Sequence, residues 1–147
     1  MSNERGLPRL TDLAKTIGFE VTEFTEGSCI VECTVREDHL NMGGVAHGGI
    51  HATLLDSAMG GTLVSTLAEE EWCATAQIDI SYLNSVGVGT RLIASGDVAR
   101  RGRNLAHMEG RLLTSEGTVV ATAKGTWAIW DTRPSSQNRS EGSPGTD

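Results

Sequence analysis

Hydrophobic and polar positions alternate with two different periods along this chain, and the change of period divides it into elements. Near the start, Leu10, Leu13, Ala14 and Ile17 recur at helical spacing, after Pro8 and before Gly18, which predicts a short amphipathic helix over Leu7 to Ile17. Phe19, Val21 and Phe24 then fall at strand spacing. After the Glu26-Gly27 turn, Cys29, Val31, Cys33 and Val35 alternate with Glu32 and Thr34. These two stretches, Phe19 to Thr25 and Ser28 to Arg36, predict a hairpin. From about Gly48 to Leu67 the period returns to that of a helix. Ile50, Leu54 and Ala58 form one row, and Ala52, Leu55, Met59, Leu63 and Leu67 another. Apolar residues on nearly all sides predict a helix buried all round. Asp56 sits in the second of these rows.

Beyond Trp72 the period is two. Ala74, Ala76, Ile78, Ile80 and Tyr82 alternate with Thr75, Gln77, Asp79 and Ser81, the pattern of a half-buried strand. Further strands are predicted over Thr90 to Arg100, Asn104 to Thr114 and Thr118 to Trp130, separated by Arg101-Gly102-Arg103 and Ser115-Glu116-Gly117 turns. On the last strand Val119, Ala121, Ala123, Trp127 and Ile129 share a face. Antiparallel strands with one segregated long helix define an α+β class. A helix apolar all round requires a curved sheet wrapped around it, the hotdog architecture. The expected layout is an N-terminal segment over 1–18, a domain over 19–131, and a tail over 132–147. That tail is rich in Ser, Pro, Gly and charge, too polar to bury a core and expected to be disordered.

The chain has 147 residues and a formal net charge of −7, which suits one domain with its own core and argues against nucleic acid as a partner. The first residues lack the apolar stretch of a signal peptide, and no run approaches the roughly 18 apolar residues of a membrane span. Cys29 and Cys33, four residues apart on one strand, would lie roughly 13 Å apart, beyond disulfide reach. All three cysteines therefore read as small core residues in a reducing compartment, with the cytoplasm as the expected location.

The candidate chemistry gathers where the glycine-rich loop meets the long helix. Gly48 and Gly49 at a helix N-terminus offer free N–H groups and positive potential to a developing oxyanion, and glycine admits close approach. Asp56 would lie about 12 Å further along the axis, too far to share one carbonyl with Gly48 of the same helix. That spacing points to a site shared between subunits. Asn41 suits either substrate contact or a loop turn. His47 suits chemistry or loop anchoring. His47 and His51 are four apart but lack the intervening Glu of zinc hydrolases and a third ligand, so neither metal nor cofactor is expected. Arg100, Arg101 and Arg103 form a basic cluster fit for phosphate, or merely a solvated turn.

His39-x-Asn41, Gly44, His47-Gly48-Gly49 and Asp56, eight residues after Gly48, together resemble the signature of hotdog-fold acyl-CoA thioesterases. The resemblance is to the phenylacetate-degradation (PaaI-like) and 4-hydroxybenzoyl-CoA type, and covers roughly residues 19–130. It implies an acyl-CoA substrate split to free acid and CoA. It also implies Asp56 as nucleophile or general base, Gly48 as donor to the thioester carbonyl, Asn41 orienting water or substrate, and Thr75 beside the acid. It implies a homodimer, or a tetramer as a dimer of dimers, with subunits sharing a continuous sheet. Two rival functions on the same fold are a non-catalytic acyl-CoA binder and a hydratase or dehydratase.

Overall fold

The computed structural model describes residues 6–134. The first helix, α1, is Asp12–Ile17, shorter than its apolar spacing predicts. Thr11 ends it early: its hydroxyl accepts a hydrogen bond from Ala14 N–H at 3.2 Å, an N-cap that leaves Leu7 and Leu10 outside the helix. Gly18 stops it in the left-handed region (φ 84°), as a C-terminal glycine does. Strands β1 (Phe19–Thr25) and β2 (Ser28–Thr34) form the expected hairpin. A 3-10 turn, Glu37–His39, leads through the glycine loop into α2, Gly48–Val64. Then follow β3 (Trp72–Tyr82), β4 (Arg91–Arg101), β5 (Leu105–Thr114) and β6 (Val119–Trp130).

The six strands form one antiparallel sheet in the order β1-β2-β4-β5-β6-β3. Helix α2 touches every strand of it. Six strands laid flat would span about 24 Å, more than twice the width of a helix, so contact with all six requires the sheet to curl around α2. This is the α+β hotdog arrangement expected from the sequence. The helix sits close because Gly96 on β4 has no side chain: a Cβ there would lie 2.7 Å from the Cα of Met59.

Two expectations about faces are corrected. Helix α2 is buried on one face only, by His51, Leu54, Leu55, Ala58, Met59, Thr62 and Leu63. Its other flank, including Ala52, Asp56, Ser57 and Gly60, is half-buried. These flanking residues are small or polar; the apolar-all-round reading counted Ala52, in the row that also holds Asp56, as interior, whereas one face buries most of the large side chains. The helix also ends three residues before Leu67, which is nevertheless buried in the tight turn that follows.

The second correction concerns β3. Thr75 lies opposite Trp127, but the next paired residue is Gln77, opposite Thr126. Ala76 is therefore an extra residue, a β-bulge that reverses which side chains face the helix. Before it, Cys73 and Thr75 lie opposite the core residues Ile129 and Trp127; after it, Ile78, Ile80 and Tyr82 lie opposite core-facing Gly125, Ala123 and Ala121. Strict alternation would put Ala74 and Ala76 on the same face as Ile78, Ile80 and Tyr82, and Thr75 on the other. Similar bulges fall between Val98 and Arg100 and between Leu112 and Leu113. The last explains why Val120 and Ala121 are both buried and Val119 only partly so.

All three cysteines are buried thiols; burial pushes Cys29 and Cys73 up to about 11 and raises Cys33 as well. Of the expected tail, residues 132–134 are described and exposed, with the Arg133 guanidinium 5.7 Å from the centre of the Trp72 ring. The rest of the tail, and residues 1–5, lie outside the described residues. Among the described residues no helix is long and apolar enough to cross a membrane.

Candidate active site

The entry to α2 is held by local hydrogen bonds that the loop sequence dictates. His39 is buried; its Nδ1 accepts from Arg36 N–H (3.0 Å), leaving Nε2 to donate to the Ile17 carbonyl (2.7 Å). Asn41 turns the glycine loop: its Oδ1 accepts from Gly43 N–H (2.9 Å) and Val45 N–H (3.3 Å). The oxygen is thus a turn acceptor, as Asn commonly is in loops, and Asn41 also lines the cavity at the helix start. His47 is the N-cap of α2, its Nδ1 accepting from Gly49 N–H at 2.8 Å. That contact anchors the loop and occupies the Gly49 donor. Gly48 N–H makes no hydrogen bond among the described residues, as the first donors of a helix do not. Of the two glycines, only Gly48 therefore keeps its donor for a ligand.

A cavity of about 310 Å³ opens at this helix end, lined by Asn41, Gly48, His51, Tyr82, Asn84 and Ser85 among others. Tyr82 closes over the helix start: its hydroxyl donates to the Gly48 carbonyl at 2.9 Å. Its ring lies so near that a Cβ on Gly48 would sit 3.2 Å from it. His51 stacks beside Tyr82, ring centres 5.9 Å apart. It is 2% exposed, and neither ring nitrogen finds a hydrogen-bond partner among the described residues. Burial lowers its pKa from the ordinary value, so the imidazole is neutral at physiological pH. A buried polar group without a partner costs about 1–3 kcal/mol. Neither Tyr82 nor His51 stood out in the sequence as a site residue. In the sequence Tyr82 is one of several apolar positions on a strand, and the spacing of His47 and His51 suggests only a metal pair. The position of His51 three residues after Gly48 was the available signal.

Asp56 lies two turns along, on the half-buried flank. Thr75 donates its hydroxyl to Asp56 Oδ1 at 2.6 Å. The contact exists because of the Ala76 bulge, which keeps Thr75 on the helix side of β3. The carboxylate is thereby oriented while its second oxygen stays available. Asp56 does not line the cavity at Gly48, so the two halves of the expected site are separate within one chain.

The three arginines do not form a single cluster. As neighbours on a strand, Arg100 and Arg101 face opposite sides of the sheet; the bulge between Val98 and Arg100 sets which side each takes, with Arg101 opposite buried Ala106 and Arg100 opposite exposed His107. Arg101 is already paired, its guanidinium 2.6 Å from Glu71 Oε2. Arg100 and Arg103 line a shallow depression with His107, and Arg103 also borders one with Arg101, Glu71 and Trp130. Among the described residues no group of three His, Cys, Asp or Glu is placed to hold a metal ion.

The helix wrapped by a six-stranded antiparallel sheet makes this a hotdog protein. The model of the thioesterase superfamily matches residues 43–121, from the glycine loop into β6. Human acyl-coenzyme A thioesterase 13 is 30% identical over 101 residues, covering 67% of this chain and 69% of the human one. Among solved structures, a thioesterase protein with coenzyme A from Streptococcus pneumoniae is 28% identical, with a TM-score of 0.71, covering 79% of this chain and 88% of that one. A mutant of the phenylacetic acid degradation protein PaaI from Thermus thermophilus is 25% identical, with a TM-score of 0.74 over 80% of this chain and 98% of that one. The chain belongs to the thioesterase superfamily and is a hydrolase of thioester bonds.

Proposed function

We propose that the protein is a cytoplasmic acyl-CoA thioesterase whose active site is assembled from two copies of the chain. The observation that carries this reading is the Asp56–Thr75 contact at 2.6 Å, an oriented carboxylate on the half-buried flank of a thioesterase-superfamily helix. Strand β3 is paired only with β6 and ends the sheet, leaving a long row of unpaired backbone groups. Two copies joined antiparallel along β3 about a two-fold axis form one continuous sheet. Because the strands run in opposite directions, the Thr75 end of one copy then lies beside the Tyr82 end of the other. That joins Asp56 of one subunit to the Gly48 cavity of its partner and resolves the 12 Å or so between them. A tetramer is then two such dimers paired, each keeping its own sites.

In this assembly the thioester carbonyl accepts from Gly48 N–H at the positive end of α2. Asp56 takes a proton from water as the water oxygen bonds to the carbonyl carbon, or attacks that carbon itself. Negative charge then develops on the carbonyl oxygen. Removing one donor from such a site costs about 2.7–4 kcal/mol of transition-state stabilisation. When the carbonyl re-forms, the C–S bond breaks and the CoA thiolate leaves, taking the proton that Asp56 holds in the general-base course; in the nucleophilic course the thiolate leaves an acyl-Asp56 anhydride, which water then hydrolyses to the free acid and the restored carboxylate, its released proton going to the thiolate. Thr75 fixes the carboxylate, the Asn41 amide orients water or substrate, and His47 and Gly49 shape the helix entry. Arg100 and Arg103, with Arg101 where Glu71 releases it, supply phosphate contacts for the nucleotide of CoA.

The test is release of free CoA from acyl-CoA, followed by subunit mixing. Asp56→Asn and Gly48→Pro each inactivate a different half of the site, the second by deleting the N–H. Mixed and exchanged, they should regain up to about a quarter of wild-type activity by random pairing, provided each lesion stays local. Verified heterodimers that stay dead, with each variant folded, would place the site within one subunit and refute the shared arrangement.

A further inference from the structure

The cavity at the start of α2 holds a histidine that the hydrolytic reaction leaves without a task. His51 is one turn beyond Gly48, on the buried face, and its side chain leans back toward the helix start, as helical side chains do. It reaches the Tyr82 ring there; the residue lines the cavity, and both its buried ring nitrogens are unpartnered among the described residues. Two neighbouring groups that could have paired with it are spent elsewhere: the Tyr82 hydroxyl on the Gly48 carbonyl, and the Asn84 amide on the Val119 carbonyl at 2.8 Å. A leucine or phenylalanine would fill the same buried position without an unpaired donor and acceptor.

We propose that His51 recognises a hydroxyl group on the acyl chain, close to the thioester carbonyl, and so makes short 2- or 3-hydroxyacyl-CoA thioesters the preferred substrate class. The inference rests on the reading of Gly48 as the donor to that carbonyl. With the carbonyl held there, the next carbons of the acyl chain pass His51, because the two residues are separated by a single helical turn, about 4.5 Å of axial rise. A neutral imidazole presents one N–H donor and one bare nitrogen acceptor. A hydroxyl can donate to the bare nitrogen or accept from the N–H, so it pairs with either tautomer, whereas a ketone oxygen can only accept. Sites that hydrogen-bond a substrate hydroxyl discriminate against the analogue lacking it, because the buried protein group is then left unpaired.

The experiment compares kcat/KM for butyryl-CoA with 2-hydroxybutyryl-CoA and both enantiomers of 3-hydroxybutyryl-CoA, with 3-oxobutyryl-CoA as a further arm. At least one hydroxylated substrate should be preferred over butyryl-CoA by about tenfold or more, the size expected of one buried hydrogen bond. His51→Phe, which keeps the ring but removes both nitrogens, should bring that ratio to about one or below, and His51→Gln should retain part of it. The wild-type ratio decides the matter if His51→Phe fails to fold. A wild-type ratio of one or less for every hydroxylated substrate overturns the proposal, as does an unchanged ratio in folded His51→Phe. A preference for the 3-oxo substrate over both hydroxyl classes also overturns it. So does an equal rise in KM in His51→Phe for every acyl group tested, since that assigns His51 to the CoA arm they share. A protein that hydrolyses acyl-CoA without a His51-dependent ratio loses only this inference. One that hydrolyses no acyl-CoA of any kind loses the thioesterase reading and this inference with it.

Discussion

The two ends of helix α2 are built from similar residues and treated oppositely by the fold. At the C-terminal end, Thr62 and Ser65 are fully buried and fully used. Thr62 Oγ1 accepts from Cys29 N–H (3.1 Å) and donates to the Gly96 carbonyl (3.2 Å). Ser65 Oγ accepts from Gly27 N–H (2.9 Å) and donates to the Thr62 carbonyl (2.6 Å). These bonds tie the helix to the β1–β2 turn and to β4. At the N-terminal end the corresponding groups are left open: Gly48 N–H and both His51 nitrogens have no partner among the described residues. Between them, half-buried Asp56 has one partner, Thr75. Buried polar groups are satisfied within the chain where the task is to hold the helix, and left open where the task is to receive something else.

The contrast is broken most severely at Asp56. Asp56→Asn keeps the shape and loses the charge, so CoA release should fall at least about 100-fold, while a side chain on the half-buried flank leaves the melting temperature nearly unchanged. An undiminished rate in a folded Asp56→Asn protein would remove the carboxylate from the mechanism. At the other end the opposite outcome is expected. Thr62→Val is close to isosteric but orphans Cys29 N–H and the Gly96 carbonyl, so it should cost about 1–3 kcal/mol of stability. That should lower the melting temperature by several degrees and leave KM at 25 °C as it was. A Thr62→Val protein that melts normally would show that these buried bonds do not hold the helix.

A smaller effect sharpens the contrast through pH. Burial depresses the pKa of His51 in the folded chain, so below its unfolded value of about 6.5 the unfolded state binds the proton first. The resulting loss of stability begins as pH falls through that value and levels off below the folded one. It cannot exceed about 1.4 kcal/mol per pH unit for one group. The fall in melting temperature between pH 7.5 and 5 should therefore be smaller in His51→Phe than in wild type; equal falls would mean that His51 charges as readily folded as unfolded. The smallest change is expected away from both ends, at Arg101→Ala. Arg101 pairs with Glu71 near the surface, where such a bridge contributes about 1 kcal/mol at most. A larger loss on denaturant unfolding would show that this pair braces the end of β4.

What could be read from the chain alone was whatever a single periodic pattern carries. Leu54, Leu55, Met59 and Leu63 announce a helix with a buried face; Cys29, Val31, Cys33 and Val35 announce a strand with one. Gly48, Asp56 and their spacing were legible as a helix N-terminus and a carboxylate too far apart to meet within one helix. A pattern of period two, however, assumes an unbroken ladder, and one bulge residue reverses it. Ala76 carries no local mark of being extra, since alanine fits either face. Only pairing with β6 shows that Thr75 turns toward Asp56. Similarly, strand alternation alone separates Arg100 from Arg101, but only the bulge beside Val98 decides that Arg101, opposite buried Ala106, is the one on the core side. His51 lacks a partner only because of what the folded chain packs around it. Periodicity is a property of neighbours along the chain, and it settles which elements form. Satisfaction of a donor, the face of a residue beyond a bulge and the openness of a helix end depend on groups far apart in sequence, and those were decided when the sheet closed around α2.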